Sequence, residues 1–310
     1  STLVFEALAM ACPSVSSFIS IHNMCAWMIS QNGNQHVKKE FLHPMIRMDK
    51  ICSYCLTEPD SGSDSAALST KAERTNEGFR VNGTKSFISG GAFSDIYLTM
   101  VRTGEAGPHG ISALLVEKNT KGLCFGSNEE KMGWKSQPTA QVIFDDCSIS
   151  SEQLLGEENK GFIYAMRGLD GGRLNIAAAA LGGAQTALNI AKKYIKERKA
   201  FGKRLSDFQG LQFKVADMEI AINSSRIFLR EAAWKLDNEK SDAGVYCAMA
   251  KKYVTDNAFN IANNSLQLLG GYGYLTDYGI EKIVRDLRVH QILEGTNEIM
   301  QLIIARDSLK

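Results

Sequence analysis

The 310-residue chain lacks features that mark several large classes of protein. Its 35 Lys and Arg residues are balanced by 34 Asp and Glu residues, so it has no basic excess of the kind that nucleic-acid binding usually requires. No apolar run reaches the roughly 20 residues that a membrane-spanning helix needs, and no leader peptide is recognisable. We therefore expect a globular protein with no nucleic-acid partner and no membrane insertion.

Cysteine and histidine are present, but not in the patterns of disulfides or metal sites. Seven cysteines, an odd number, are spread along the chain, which favours buried thiols in a reducing compartment. Cys52 and Cys55 form a C-x-x-C in a predicted strand, where residues three apart point to opposite faces and do not readily share a metal. The five histidines occur singly, and P-loop, dinucleotide, zinc-protease and serine-hydrolase motifs are missing. No metal site is expected.

Proline is absent from more than half of the chain. All five prolines lie at or before Pro138, so the remainder lacks the residue that most disfavours helix interiors. Residues 1–49 read as helical, 50–155 show the two-residue period of strands, and 156–310 return to helical spacing. We predict an α+β chain with an apparently truncated N-terminal helical domain over 1–49, an antiparallel β-barrel or sandwich over 50–155, and a C-terminal helical bundle over 156–310.

Local signals refine this division. Asn82-Gly83 predicts the turn of a hairpin, and further strands are predicted at 95–102, 111–117, 123–129 and 141–144. Three to five long helices are expected after Gly161, with a stop at Gly270-Gly271 and a kink at Asp170-Gly-Gly-Arg173.

Several polar clusters interrupt otherwise apolar surroundings, and each has two interpretations. The segment 54–64 can hydrogen-bond a polar ligand edge or an anion, or it is an ordinary Asp/Ser/Gly turn. Arg173 can hold an anionic or carbonyl-bearing ligand, or it is a solvated cap. The basic residues at 197–204 can bind a pyrophosphate, or they only complement a helix dipole.

The segment 293–298 carries the strongest chemical signal. Thr296 can cap the last helix, with Glu298 in its first turn. Glu294 lies beside Ile292 and Leu293, and apolar neighbours raise the pKa of a carboxyl group. A raised pKa is the condition for a general base near neutral pH.

Together these segments resemble the acyl-CoA dehydrogenase family of flavoproteins. The likeness runs in order through Y-C-L-T-E-P-x-S-G-S-D, N-G-x-K-x-F-I-S-G, E-R-K-x-F-G, L-Q-L-L-G-G-Y-G-Y and L-E-G-T-N-E. It implies an N-terminal helical domain, a central antiparallel β-barrel and a C-terminal four-helix bundle. It also implies that relatives carry further N-terminal helices, so that the short N-terminus could reduce stability or activity.

The resemblance implies roles for individual residues, with Glu294 as the catalytic base, Thr57 and Ser89 near flavin N5, and the Glu294 backbone N–H polarising the thioester carbonyl. FAD would be held by Tyr54, Cys55, Leu56, Thr57, Ser61, Gly62, Ser63, Phe87, Ile88, Ser89, Arg198, Phe208, Gln209, Gln267, Leu268, Leu269, Gly270, Gly271, Thr296, Asn297 and Glu298. The acyl-CoA substrate would be held by Ser63, Asp170, Gly171, Gly172, Arg173, Leu293 and Arg306. Asp60 departs from the Gly or Ala common at its position and adds a charge there.

One residue bears on the substrate implied. Straight-chain members usually carry Tyr before the catalytic Glu, whereas this chain has Leu293. A smaller residue fits a short acyl chain branched at Cα, which favours conversion of isobutyryl-CoA to methacrylyl-CoA in valine catabolism. The alternatives are a 2-methylbutyryl- or short straight-chain substrate, an oxidase, and a catalytically silent flavin- or acyl-CoA-binding subunit. The resemblance further implies electron-transferring flavoprotein as electron acceptor, a homotetramer built as a dimer of dimers, and location in the mitochondrial matrix.

Overall fold

The computed structural model describes residues 1–310. Its first segment is helical, as predicted, with α1 (Thr2–Ala11), α2 (Pro13–Asn32), α3 (Gln35–Val37), a π-helical turn (Lys38–Leu42) and α4 (His43–Ile46). No helix anywhere combines the length and the apolar character that crossing a membrane requires.

The central segment forms one seven-stranded sheet. Its strands are β1 (Cys52–Cys55), β2 (Lys71–Arg74), β3 (Gly78–Ser89), β4 (Ile96–Arg102), β5 (Ile111–Glu117), β6 (Leu123–Phe125) and β7 (Thr139–Ser150). The order is β1-β4-β2-β3-β7-β6, with β5 paired to β4. The pairings β1–β4 and β2–β4 are parallel and the others antiparallel. The predicted strands at 95–102 and 111–117 are confirmed, whereas β6 is shorter and β7 longer than expected.

The predicted hairpin at Asn82-Gly83 is wrong. Both residues lie inside the continuous strand β3, where the register with β7 shifts between Val81 and Gly83. A Cβ at Gly83 would lie 2.7 Å from the Cα of Thr70, so glycine serves a close backbone approach and a bulge rather than a turn. The turn into β3 comes earlier, where the Thr75 N–H donates to Gly78 O at 2.9 Å.

The C-terminal segment contains five helices, as the spacing predicts. They are α5 (Gly161–Glu197), α6 (Gln209–Asp237), α7 (Ala243–Leu268), α8 (Ile280–Arg288) and α9 (Asn297–Ser308), and a two-stranded ribbon of β8 (Lys199–Ala200) and β9 (Lys203–Arg204) lies between α5 and α6. Single 3-10 turns occupy Ser65–Ala67, Pro108–Gly110, Ser151–Gln153, Leu205–Asp207, Gly270–Tyr274, Thr276–Tyr278 and Val289–Gln291. The predicted α+β class, with helices at both ends and a central β domain, is confirmed.

The predicted kink at Asp170-Gly-Gly-Arg173 does not separate two helical stretches, because α5 continues through both glycines. Nearly every residue from Gly172 to Ala184 is buried, and tertiary packing outweighs the roughly 1 kcal/mol that each glycine costs a helix. Asp170 and Arg173 form an ion pair of 2.7 Å across the two glycines.

The chain divides into two compact units. One comprises Phe18–Glu130 and Gln137–Leu169, and the other comprises Ser1–Ser17, Lys131–Ser136 and Asp170–Lys310. In the first unit, Cys52 belongs to one apolar cluster and Cys55 to another. This confirms that the two thiols of the C-x-x-C face opposite sides of β1.

Helix α7 lies at the centre of the second unit. It packs against α6, α8 and α9, and its buried residues repeat at alternating steps of four and three, as in a helix bundle. They include Cys247, Lys251, Val254, Ala258, Ile261, Ser265 and Leu268. A lysine therefore occupies a position that the pattern reserves for apolar residues.

Candidate active site

Glu294 lies on a tight turn between the 3-10 turn Val289–Gln291 and α9. Its φ is 57° and that of Gly295 is 87°, so two successive residues are left-handed. Such a conformation is uncommon for a residue other than glycine and is found preferentially at functional sites. Thr296 ends the turn, and its Oγ1 accepts the Ile299 N–H at 3.3 Å, which confirms the predicted helix cap.

Glu294 is half-buried as a residue, but its Oε2 atom is inaccessible to solvent. Its Oε2 atom has no hydrogen-bond partner. Burial raises the pKa of Glu294 to about 7, although Arg173 and Lys251 act to lower it. The direction agrees with the expectation from its apolar neighbours. A carboxyl group with this pKa and a free oxygen can accept a proton near neutral pH.

Arg173 lies beside this turn. It is only 7% exposed, its Nη1 donates to Asp170 Oδ1 at 2.7 Å, and its Nε donates to the backbone oxygen of Glu294 at 3.4 Å. Burial raises the pKa of Asp170, while Arg173 opposes the shift. The structure therefore brings Arg173 and its partner Asp170 to Glu294, which lies 121 residues beyond Arg173 along the chain.

Lys251, which was not assigned a role from the sequence, contacts the same turn. Its side chain is fully buried, and Nζ donates to Gly295 O and to Asn297 Oδ1, both at 2.8 Å. Asn297 Nδ2 in turn donates to Thr255 Oγ1 at 3.0 Å and to Asp256 Oδ1 at 2.7 Å. The available signal was the helical spacing of α7, which places Lys251 among buried positions.

His290 is a second buried residue near the turn that sequence reasoning did not assign. Its Nε2 accepts from Trp134 Nε1 at 3.3 Å, so Nδ1 donates to Ile176 O at 3.1 Å. Burial lowers the pKa of His290 to about 4. These contacts fix a neutral imidazole with both nitrogens engaged, which suits a structural role better than proton transfer.

A pocket of about 580 Å³ in the helical unit gathers another group of predicted residues. Arg198 lines it, with its guanidinium 5.5 Å from the ring of Tyr272. A Cβ at Gly270 or Gly271 would meet nothing within 4 Å, so the backbone there is open to a ligand. The other predicted residues that line this pocket are Gln267, Leu268 and Leu269.

Phe208 and Gln209 lie at the start of α6, next to the β8–β9 ribbon. The Phe208 ring is 6.2 Å from that of Phe201 and 4.2 Å from Lys203 Nζ. Gln209 is exposed, as are Glu298 and Arg306 on α9.

The β unit holds the remaining predicted cofactor residues at the ends of β1 and β3. The Ser86 N–H donates to Thr57 O at 2.8 Å, and Ser53 Oγ donates to Ser89 O at 2.5 Å. Phe87 is 70% exposed with a φ of 58°, so its ring faces outward from the strand end. Tyr54, Leu56 and Thr57 are half-buried, Gly62 and Ser63 are exposed, and Cys55, Ser61 and Ile88 are buried.

A buried ion pair fixes this edge of the β unit. Glu58 Oε1 and Lys85 Nζ are 2.7 Å apart, with both side chains almost inaccessible. Lys85 Nζ also donates to Leu56 O at 3.1 Å. Glu58 accepts the backbone N–H groups of Ser69 and Thr70 at 2.6 and 2.9 Å. The pair therefore joins the segment after β1 to the middle of β3.

Known proteins resemble this chain over its whole length. Family profiles described as the N-terminal, middle and C-terminal domains of acyl-CoA dehydrogenase match residues 1–49, 53–147 and 159–309. Mitochondrial isobutyryl-CoA dehydrogenase of Bos taurus is 49% identical over 310 residues, which span 100% of this chain and 74% of that protein. The Dictyostelium discoideum protein of the same name is 52% identical over 311 residues, or 100% and 75%.

A solved structure gives the same result at the level of the fold. Butyryl-CoA dehydrogenase from Megasphaera elsdenii superposes with a TM-score of 0.97 at 38% identity, covering 100% of this chain and 81% of that one. The chain belongs to the acyl-CoA dehydrogenase family and is an oxidoreductase.

Proposed function

We propose that this protein is an FAD-dependent dehydrogenase of a short branched-chain acyl-CoA, converting isobutyryl-CoA to methacrylyl-CoA. The observation that carries the proposal is the Glu294 carboxyl group, which has a buried, unpartnered Oε2 and a pKa of about 7. An oxidoreductase that removes hydrogen from a C–C bond needs such a group to accept the α-proton. The isobutyryl-CoA dehydrogenases at about half identity support the substrate class.

The residues around Glu294 suit proton abstraction next to a thioester. The α-proton of a thioester is weakly acidic, so the enolate that forms needs hydrogen-bond donors in a dry site. We assign the Glu294 backbone N–H as one donor to the thioester carbonyl. Arg173 donates to the backbone oxygen of Glu294 and is itself paired with Asp170. Leu293 precedes Glu294 on the turn, and Gly171 and Gly172 lie between Asp170 and Arg173.

The described residues fit FAD at two places. In the helical unit, the cation of Arg198 and the open backbone at Gly270 and Gly271 suit a pyrophosphate. In the β unit, the outward Phe87 ring and the strand ends at Thr57 and Ser89 suit a planar ring system. When bound, FAD supplies a hydride acceptor at N5. Thr296, Asn297 and Glu298 are assigned to the same cofactor, and Ser63 and Arg306 to the acyl-CoA.

The cellular setting follows from the relatives. Both isobutyryl-CoA dehydrogenases are named as mitochondrial, and we assign this chain to the mitochondrial matrix. We further assign electron-transferring flavoprotein as its electron acceptor and a dimer of dimers as its assembly. The seven free cysteines agree with a reducing compartment.

An anaerobic titration of flavin bleaching tests the proposed substrate. The purified flavoprotein should be bleached by isobutyryl-CoA with a larger second-order rate constant of flavin reduction than by 2-methylbutyryl-, isovaleryl- or butyryl-CoA. A pocket that discriminates by one methylene typically gives a factor of about 10 or more. Equal bleaching by butyryl-CoA would contradict the branched-chain assignment, and a colourless protein would contradict the assignment of FAD.

Leu293 offers a direct test of substrate shape. Substituting the larger Leu293→Tyr should lower kcat/KM for isobutyryl-CoA relative to butyryl-CoA by about tenfold, because the ring would occupy space near the α-branch. Leu293→Met, which conserves volume, is the matched control and should change this ratio little. An unchanged ratio in Leu293→Tyr would remove Leu293 from the acyl pocket.

A further inference from the structure

We propose that Lys251 is a positioning residue for the general base, holding the Glu294–Asn297 turn through two hydrogen bonds and placing a buried positive charge beside the Glu294 carboxyl group. The proposal rests on the proposed function of Glu294 as that base. It adds to this function a residue on a different helix, α7, whose Nζ donates to the turn that carries Glu294.

The first support is geometric. Lys251 Nζ reaches the backbone oxygen of Gly295 and the side-chain oxygen of Asn297, both at 2.8 Å. Gly295 directly follows Glu294 and Asn297 begins α9, so the lysine ties the left-handed part of the turn to the start of that helix.

The second support is the absence of a charged acceptor for this cation. A buried lysine normally pairs with a carboxylate, because burying an unpaired ammonium is costly. Lys85 in the β unit follows this rule, lying 2.7 Å from Glu58. The two acceptors of Lys251 are both neutral amide oxygens. The nearby Arg173, in contrast, has its own carboxylate in Asp170 at 2.7 Å.

The charged groups around Lys251 identify the carboxylate with which its positive charge interacts most strongly. Burial lowers the pKa of Lys251 to about 8, and Glu294 is the strongest of the groups that oppose this shift. Asp256 and Glu298 act in the same direction, and Arg173 acts against them. Asp256 is already engaged by Lys252 at 2.9 Å and by Gln291 and Asn297, and Glu298 is exposed. Glu294 is therefore the carboxylate left for the Lys251 charge.

The expected consequence is that Lys251 limits the rise in the pKa of Glu294. Burial raises the pKa of Glu294, while Arg173 and Lys251 keep it from rising further. Without the Lys251 charge, the pKa of Glu294 would rise above about 7 and the carboxylate would form only at higher pH. The neutral His290, which also senses Lys251, has both nitrogens engaged and does not replace this charge.

The test compares Lys251→Met with Lys251→Arg, which keeps the charge, and with Lys252→Met, which removes a half-exposed lysine one residue along the same helix. All are studied as purified flavoproteins in steady-state turnover with isobutyryl-CoA and a dye as electron acceptor. The acid limb of kcat/KM reports the free enzyme's base. We expect Lys251→Met to move this limb upward by about one pH unit, a loss of about tenfold in kcat/KM on the acid side. Lys251→Arg and Lys252→Met should keep the wild-type limb.

A uniform loss of kcat/KM in Lys251→Met, with an unmoved acid limb, would overturn the proposal and leave Lys251 a purely structural residue. An equal shift in Lys252→Met would also overturn it, because the effect would then be one of general charge. Should Lys251→Met fail to fold, Lys251→Gln removes the charge and retains a hydrogen-bond donor for the same comparison.

A second readout separates this proposal from the assignment of the base. Amide hydrogen exchange of the peptide 292–300 should be faster in Lys251→Met than in Lys252→Met, because two hydrogen bonds to the turn are lost. This measurement does not depend on catalysis. If Glu294→Gln is still bleached normally, the proposed role of Glu294 fails, but the hydrogen-exchange result for Lys251 is unaffected. Unchanged exchange in Lys251→Met would contradict the proposal that Lys251 holds the turn.

Discussion

Replacing Glu294→Gln is expected to leave the protein yellow but to slow its bleaching by isobutyryl-CoA by about 10⁴-fold, the upper end of what a positioned general base supplies. The amide keeps the shape of the side chain but cannot accept the α-proton. Anaerobic stopped-flow absorbance of the flavin band measures the effect. The retained colour separates a loss of chemistry from a loss of cofactor binding.

Glu231→Gln is a suitable control, since it makes the same substitution at an exposed position on α6, and it should bleach at the wild-type rate. The pH dependence of wild-type kcat/KM tests whether the deprotonated form of Glu294 is the active one. Only the carboxylate accepts a proton, so kcat/KM should rise with pH through about 7, the pKa to which burial raises Glu294. Normal bleaching of Glu294→Gln would require a different base.

Breaking the buried pair Glu58–Lys85 is expected to produce the largest loss of stability. Lys85→Met leaves an uncompensated carboxylate at a position only 4% exposed, and removing one partner of such a pair typically costs about 3–5 kcal/mol. The free energy of unfolding, measured with denaturant in the flavin-bound protein, should fall by this amount. FAD retention should fall with it, because the pair fixes the segment after β1.

Two variants provide the controls for this result. The double variant Glu58→Gln/Lys85→Met removes both charges and keeps one acceptor oxygen, which can serve either the Ser69 or the Thr70 N–H group because these bond different oxygens of Glu58. It should therefore recover only part of the loss. Lys71→Met breaks the exposed pair Lys71–Glu73, which should cost no more than about 1 kcal/mol. Equal losses of unfolding free energy in Lys85→Met and Lys71→Met would show that burial of the Glu58–Lys85 pair does not increase its contribution to stability.

The same pair gives stability a defined dependence on acid. Burial alone raises the pKa of Glu58, but Lys85 and the hydrogen bonds from Thr70 and Ser69 outweigh it and lower the pKa to about 2. A carboxyl group whose pKa is lowered by folding contributes stability above its unfolded pKa and loses it as the pH falls toward the folded value. As the pH falls below the ordinary pKa range of a carboxyl group, the free energy of unfolding of the wild type should therefore decrease more steeply than that of Glu58→Gln.

The sequence by itself determined the division into helical, β and helical segments. Proline stops at Pro138, strand spacing covers the middle, and α6 and α7 show the steps of four and three that bury one face. It also determined the cap of the last helix, because Thr296 with Glu298 in the first turn is a local signal, and the capped start of α9 agrees with it. The direction of the Glu294 pKa shift was predicted from the sequence, but its cause is burial in the folded protein, since the neighbour Ile292 is 50% exposed.

Only the tertiary structure decided the roles of residues whose local signals are ambiguous. Asn82-Gly83 favours a turn, and Gly171-Gly172 favours a kink between two helical stretches. Packing against residues distant in the sequence nevertheless keeps β3 and α5 continuous through them. Lys251 lies in a run of buried helix positions, and its use depends on Gly295 and Asn297, more than 40 residues away. Local propensity amounts to about 1 kcal/mol per residue, whereas burial of a helix face or an unpaired charge is worth several times more. For this reason the partners of Glu58 and Lys251, and the contact of Arg173 with Glu294, could be known only from the fold.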